Sequence, residues 1–159
     1  DTNVLVSALL SPFRAPAQVL DLVISGKVRI AYDDRVMAEY EDVLLRPRFG
    51  FDRGSVRAVL AHLALVGLPV DAAPLAPAWV SYTPDADDLA FVEVALAAGA
   101  DALITGNGAH YRLVPSQALC VLSPAAFLRL WAEQQGGFSR NPGQCRRCGA
   151  GGGAGGAGG

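Results

Sequence analysis

Short apolar runs alternate with longer segments of helical periodicity along the first 135 residues of the chain. Three of the runs contain Val, Ile or Thr and have the length of buried strands, at 28–32, 102–105 and 120–122. The longer segments carry apolar residues at the spacing of one helix face, at 15–25, 34–46, 52–65, 85–98 and 124–135. Strands separated by helices favour a parallel sheet with helices on its faces, so the sequence predicts an α/β fold.

Local signals mark the ends of several of these elements. Either Asp33 or Asp34 can cap the helix that follows the first strand, and Ser123 before a proline is typical of a helix start. The apolar run at 4–10 is left unassigned. The stretch at 70–84 is rich in Pro and Ala, and we expect it to hold little regular structure beyond an extended piece near residues 79–82.

Composition divides the chain into two parts. Of the 18 glycines, 11 lie in residues 136–159, whereas all 15 acidic residues lie before residue 136. We therefore expect one domain over residues 1–135 and a flexible Gly-rich tail over 136–159. The domain is acidic, which excludes the broad basic surface of a general duplex-DNA binder. It remains compatible with a nucleic-acid substrate whose phosphates are neutralised by metal ions.

The remaining global features favour a cytoplasmic protein without a membrane span. No apolar stretch approaches the roughly 20 residues that a spanning helix needs. The chain begins at Asp1 with no basic and apolar signal region, so we expect no secretion and a natural start upstream of this residue. Cys145 and Cys148 form a C-x-x-C pair, but no second pair accompanies it, and we interpret it as a chance pair in the tail.

Acidic side chains occur where a parallel sheet would place a site. Ligands bind beyond the carboxyl ends of parallel strands, and Asn107 follows a predicted strand while Asp88 begins a helix that points the same way. Asp1 and Glu39 add two more carboxylates, the second at the border of the buried face of its helix. Carboxylates without a neighbouring nucleophile and base suit hard cations such as Mg²⁺. This pattern indicates metal-assisted hydrolysis of phosphodiester bonds.

Four segments then occur in an order that identifies a family resemblance. The segments are DTNVLV at 1–6, AEYEDVLLRP at 38–47, PDADDLAFVEVA at 84–95 and ADALITGNGAHY at 100–111. At these residues the chain resembles the PIN-domain family, and more narrowly the PIN-domain toxins of toxin-antitoxin systems. The resemblance covers about residues 1–130.

The resemblance implies a three-layer α/β/α sandwich with a central parallel sheet. It also implies a Mg²⁺- or Mn²⁺-dependent ribonuclease of the VapC-like kind, usually a homodimer, with a small antitoxin protein as partner. By motif position, Asp1, Glu39 and Asp88 correspond to the principal metal-binding acids of the family. Asn107 or His110 falls where relatives often have a fourth acid, with Asn107 the candidate ligand and His110 a supporting residue.

The chain departs from the family pattern at two places. An amide at Asn107 or an imidazole at His110 adds no negative charge, which puts a second metal ion in question. The family also has a hydrophobic strand before the Asp-Thr-Asn motif, so we expect a sheet without its first strand. The α-ammonium of Asp1, with an ordinary pKa of about 8, would then compete with a cation.

Other polar residues receive supporting roles. We expect Asn3 to hold the Asp1 carboxylate by local hydrogen bonds and Thr105 to orient a carboxylate through its hydroxyl. Asp85 and Asp87 are assigned to capping of the helix that Asp88 begins. Further residues keep structural interpretations, with Asp101 in a turn and with Arg46 and Arg48 at a helix end, where an RNA-phosphate contact is the alternative.

The sequence thus predicts a ribonuclease toxin that hydrolyses RNA with metal-activated water, through Asp1, Glu39 and Asp88. Two alternatives remain open. A phosphatase of the haloacid dehalogenase type also begins with Asp after a strand, but it needs a second Asp at the position of Asn3. The other alternative is a catalytically inactive PIN-like binding module or a truncated gene product.

Overall fold

The computed structural model of the chain describes residues 1–75, 86–111, 114 and 118–136. In these ranges it has six α-helices and four short strands: α1 Thr2–Leu10, α2 Ala15–Ile24, β1 Ala31–Tyr32, α3 Asp34–Leu44, α4 Arg53–Val66, β2 Leu68–Pro69, α5 Ala86–Ala97, β3 Leu103–Ile104, β4 Val121–Leu122 and α6 Pro124–Gly136. Two short 3-10 helices, Pro47–Phe49 and Gly108–Tyr111, follow α3 and β3.

Aspartate caps explain where three of the helices begin. The Asp33 carboxylate accepts a hydrogen bond from the N–H of Val36 at 2.9 Å, and the Asp52 carboxylate accepts one from the N–H of Ser55 at 2.8 Å. Such caps satisfy backbone donors that have no partner within the helix. Asp1 caps α1 in the same way, and the apolar run left unassigned from the sequence forms this helix.

The strands form two parallel pairs. Ala31 of β1 lies opposite Leu68 of β2, and Leu103 of β3 lies opposite Val121 of β4. The predicted α/β class with parallel strands is therefore confirmed. The strands are shorter than the predicted runs, and in the described ranges they form two separate pairs where one central sheet was expected.

An apolar cavity of about 340 Å³ adjoins both strand pairs. The N–H groups of Leu103 and Thr105 donate to carbonyls of the β4 segment, so by alternation the polar backbone groups of Ile104 face away from β4. On that side the carbonyl oxygen of Ile104 lies 3.3 Å from the amino group of Asp1. The cavity and the amino group of Asp1 thus lie beside β3, on the side away from β4.

The helices bury one apolar cluster against these strands. On α3, Val36, Tyr40, Val43 and Leu44 are buried and Met37 is partly buried, which confirms the predicted inward face of this helix. The other large contributions come from α4 and α5, with Val56, Leu60, Leu63, Phe91, Val92 and Val94. The apolar packing of α3 with α5 positions two of the candidate acids, Glu39 and Asp88.

A buried charge links the same two helices. Glu93 of α5 is only 3% exposed, and its carboxylate accepts hydrogen bonds from Arg35 of α3 at 2.5 Å and from the N–H of Leu75 at 2.8 Å. Hydrogen bonds with Asp33 and Glu93 raise the pKa of the Arg35 guanidinium above its ordinary value. Arg35 therefore stays charged and compensates the buried carboxylate.

Several sequence predictions fall on other parts of the chain. Apart from Gly136, the proposed tail with Cys145 and Cys148 lies outside the described residues, as does the extended piece predicted near residues 79–82. In the part of the chain that the structure describes, no helix combines the length and the apolar character that crossing a membrane requires.

Replacing Arg35 tests whether this ion pair holds α3 against α5. Arg35→Ala leaves Glu93 as a buried carboxylate without its cation, and we expect the free energy of unfolding to fall by about 3 kcal/mol. The matched control is Arg57→Ala, which removes an exposed arginine 3.6 Å from Glu41 and should cost less than about 1 kcal/mol. Urea denaturation of both variants measures the two free energies of unfolding. Equal losses in the two variants would contradict a specific role of the Arg35–Glu93 ion pair.

Candidate functional site

Asp1 lies where the N-terminus of α1 meets the segment after β3. Its Oδ1 accepts a hydrogen bond from the N–H of Asn3 at 3.1 Å. Its Oδ2 accepts one from the amide of Asn3 at 3.0 Å and one from the hydroxyl of Thr105 at 2.5 Å. Thr105 is only 1% exposed, so its hydroxyl is held in a fixed place. These contacts fix the orientation of the Asp1 carboxylate.

The segment after β3 is fitted closely to Asn3. The Oδ1 of Asn3 accepts a hydrogen bond from the N–H of Gly106 at 2.9 Å. A Cβ atom at Gly106 would lie 2.9 Å from the same Oδ1, so a larger residue here would push Asn3 away. Asn107 donates its backbone N–H to the Thr105 oxygen at 2.9 Å. Asn3 and Thr105 together thus connect this segment to Asp1.

Glu39 reaches the same region from α3. Its Oε1 lies 3.5 Å from the hydroxyl of Thr2, the first residue of α1. The next residue, Tyr40, is buried, and burial together with the nearby charge of Glu39 raises the pKa of the Tyr40 hydroxyl well above its ordinary value. Tyr40 therefore stays neutral at physiological pH, and Glu39 is the group of this pair that can carry charge into the site.

Asp88 is the third carboxylate and lies in the first turn of α5. Its Oδ2 lies 2.7 Å from the Nδ1 of His110, and its Oδ1 accepts a hydrogen bond from the hydroxyl of Tyr111 at 3.1 Å. Tyr111 is buried, and the sequence pattern predicts no role of its own for this residue. The sequence signal for Tyr111 is its position directly after His110, because the short 3-10 helix brings both side chains to the Asp88 carboxylate.

A cleft of about 330 Å³ brings these carboxylates to one place. Asp1, Glu39 and Asp88 all line it, although they come from the starts of α1 and α5 and from the middle of α3. Arg46 and Arg48 lie on its wall. Three acids from distant parts of the sequence therefore share one cleft with two arginines.

The other candidate residues lie around this cleft. Asn3 lines the cleft. Thr105 contacts the cleft residue Asp1 through its hydroxyl, and His110 contacts the cleft residue Asp88. Asn107 is not among the described residues that line the cleft. Its backbone N–H donates to the Thr105 hydroxyl oxygen, and its carbonyl oxygen accepts from the N–H of His110 at 3.1 Å. Asp101 is exposed. Asp85 and the side chain of Asp87 lie outside the described residues.

The amino group of Asp1 differs from the expectation drawn from the sequence. Burial lowers its pKa from 8.0 to about 5, although the negative charge of Asp88 acts in the opposite direction. The group is therefore uncharged at neutral pH. In a chain whose first residue is Asp1, the expected competition of a charged ammonium with a cation is therefore weakened at neutral pH, because the cost of burying the charge exceeds the attraction of Asp88.

The donor chemistry of the cleft suits a divalent cation, but the ligands are not gathered around one point. Carboxylate oxygens are the ligands that Mg²⁺ and Mn²⁺ prefer. In the described ranges no group of three or more His, Cys, Asp and Glu side chains stands close enough to hold an ion together. Both oxygens of Asp88 already contact His110 and Tyr111. Asp1, Glu39 and Asp88 fit such an ion by type and location, and side-chain rotation would have to bring them together.

Comparisons with known proteins give one match. The family model of the PIN domain matches residues 1–109, a range that contains Asp1, Glu39, Asp88 and Thr105 and ends just before His110. Neither the curated proteins nor the solved structures contain a match to the chain.

In a chain whose first residue is Asp1, the buried amino group predicts how stability depends on pH. Between pH 8 and pH 5 the unfolded chain binds a proton at this amine that the folded chain does not bind, so stability falls as the pH is lowered. The loss should reach up to about 4 kcal/mol at pH 5, from roughly 1.4 kcal/mol per unit of pKa difference.

Acetylation of the Asp1 amine provides the control, because the amide that it creates does not titrate. Urea denaturation from pH 5 to pH 8 in EDTA should show a steeper pH dependence for the free amine than for the acetylated chain. Identical profiles would show that the amino group is not buried in the folded protein.

Proposed function

The chain belongs to the PIN-domain family, whose members are generally nucleases, and on this premise we propose that it is a metal-dependent endoribonuclease. The observation that carries the proposal is the meeting of Asp1, Glu39 and Asp88 in one cleft. We propose these three as the catalytic, metal-binding residues, with Asn3, Thr105 and His110 in support. Asn107 remains a proposed ligand only through rotation of its side chain.

Charge explains why the reaction would need a cation. Three carboxylates in one cleft repel a phosphodiester, and Arg46 and Arg48 offset only part of their charge. When bound, Mg²⁺ or Mn²⁺ would supply the missing positive charge and lower the pKa of a water molecule that attacks phosphorus.

The residues of the chain prepare the cleft for this role. Thr105 and Asn3 hold the Asp1 carboxylate in one orientation, so little rotation has to be lost when Asp1 binds a ligand. Thr2 holds Glu39 more loosely, at 3.5 Å. His110 and Tyr111 hold both oxygens of Asp88, and Asp88 would exchange at least one of these contacts for a cation.

The alternative is a PIN-like binding module without catalysis. It is favoured by one observation, namely that no three ligands are preassembled in the described part of the chain. A phosphatase of the haloacid dehalogenase type is not supported, since its second acid would stand at Asn3. The Asn3 amide instead donates to Asp1 and its oxygen accepts from Gly106.

We extend the proposal to the biological setting through the resemblance of the four sequence segments. In this setting the chain is the toxin component of a toxin-antitoxin system. It acts on RNA in the cytoplasm, forms a homodimer and is inhibited by a small antitoxin protein. Co-purification of the chain with the product of a small neighbouring gene would test the antitoxin, and light scattering would test the dimer.

Replacing Asp88 tests the catalytic proposal. Cleavage of a mixed single-stranded RNA should occur with Mg²⁺ or Mn²⁺ and stop in EDTA, and Asp88→Asn should lower the rate by more than about 100-fold because it removes a ligand charge. The change is nearly isosteric, so circular dichroism should be unchanged. Asp21→Asn, the same substitution at an exposed residue of α2, should cut RNA at the rate of the unsubstituted chain.

Two outcomes would count against the proposal. Equal cleavage by Asp88→Asn and Asp21→Asn would remove Asp88 from the mechanism. A folded, unsubstituted chain that binds RNA but does not cut it with either metal would support the binding module instead.

A further inference from the structure

The 3-10 helix Pro47–Phe49 forms one wall of the cleft. It follows α3 directly, so it is joined by a short connection to the helix that carries Glu39. Arg46, Arg48 and Phe49 of this wall line the cleft together with the three carboxylates. The two arginines are the cations among its described lining residues.

The two arginines differ in their contacts. Arg46 forms an ion pair with Asp42 one helical turn earlier, at 2.8 Å. Arg48 is exposed, and within the described ranges it forms no ion pair with a carboxylate. Its positive charge is therefore less neutralised by protein carboxylates and more available to a ligand in the cleft.

Aromatic rings hold the Arg48 side chain in place. Its guanidinium carbon lies 4.6 Å from the centre of the Phe49 ring, a cation–π contact. The Phe49 ring lies in turn against Phe51, with centroids 5.9 Å apart and an angle of 20° between the planes. Both rings are partly buried against the core, so they form a fixed base under an exposed guanidinium.

The backbone keeps this arrangement rigid. Pro47 has a restricted φ at the start of the turn. Gly50 ends the turn with φ +65°, in the left-handed region that side chains with a Cβ rarely adopt. The direction of the chain between Phe49 and Phe51 is thus set by Gly50, and the stack of Arg48, Phe49 and Phe51 does not depend on a flexible loop.

A guanidinium on an aromatic ring can bind two parts of a nucleotide. Its outer face stacks on a base, and its N–H groups donate to phosphate oxygens. We propose that Arg48, supported by Phe49, is a substrate-binding residue that holds an unpaired nucleotide beside the bond to be cleaved. This inference rests on the proposed function. It applies to single-stranded RNA, because the faces of a base in a duplex are covered by neighbouring bases.

Binding without cleavage tests the inference directly. A fluorescein-labelled 12-nucleotide single-stranded RNA is titrated with the chain in Ca²⁺ and in EDTA, and fluorescence anisotropy gives Kd. We expect Arg48→Ala to weaken binding by about 10-fold, within the range of one lost stacking contact. The control Arg57→Ala removes an exposed arginine that does not line the cleft, and it should leave Kd within about 2-fold.

Arg48→Lys separates the planar contact from the charge. Lysine keeps the phosphate contact, so the salt dependence of Kd should match that of the unsubstituted chain, whereas Arg48→Ala should lower the slope by about 0.7. Lysine cannot stack, so Kd should remain weaker than with arginine. If Arg48→Lys bound RNA with the Kd of the unsubstituted chain, the stacking role would be overturned. Arg48 would then act only through its positive charge.

The affinity for RNA that lacks one base distinguishes a direct contact between Arg48 and a base from a purely structural role of Arg48. An abasic site at the contacted nucleotide, found by moving it along the RNA, should weaken binding to the unsubstituted chain and have no further effect on Arg48→Ala. Additive losses at every position would overturn the inference. The two proposals fail in different ways. A chain that shows this coupling but never cuts RNA would support the nucleotide-binding role of Arg48 and contradict the nuclease proposal. A chain that cuts RNA without the coupling would support the nuclease proposal and contradict the role of Arg48.

Discussion

The hydrogen bond from the Thr105 hydroxyl to the Asp1 carboxylate is the contact on which the cleft depends. Thr105 is buried at the end of β3, and its oxygen also accepts from the N–H of Asn107, so its proton is committed to Asp1. Asp1 in turn caps α1, where a negative charge is favoured by the helix dipole. One carboxylate therefore fixes the start of a helix against a strand and also faces the cleft that Glu39 and Asp88 line.

Much of the fold could be predicted from local patterns. The periodic apolar residues of α3 and the aspartate that precedes it identified that helix and its buried face, because both signals lie within a few residues of each other. The candidate acids could also be named, since their spacing resembles a family pattern. Their meeting in one cleft does not follow from the rule that parallel strands present their ends at one edge, because Glu39 lies in the middle of α3 and the described strands form two separate pairs.

Other features depend on partners far away in the sequence, and no local pattern reports these. In the sequence, Glu93 is a single acid in an apolar helix. Its ion pair with Arg35 becomes visible only in the folded structure. The contact of Tyr111 with Asp88 likewise needs β3 and α5 to be placed first. The charge of the Asp1 amine cannot be inferred from its ordinary pKa, because burial next to Ile104 lowers that pKa to about 5.

The central claim is that the carboxylates of the cleft hold a divalent cation once their side chains rotate towards it. Titration of the chain with Mn²⁺, followed by the electron paramagnetic resonance signal of the free ion, measures this without any substrate. The account predicts saturable binding that is lost in Glu39→Gln and retained when an exposed acid such as Asp34 is changed to Asn. Equal binding by both variants, or none by the unsubstituted folded chain, would contradict it.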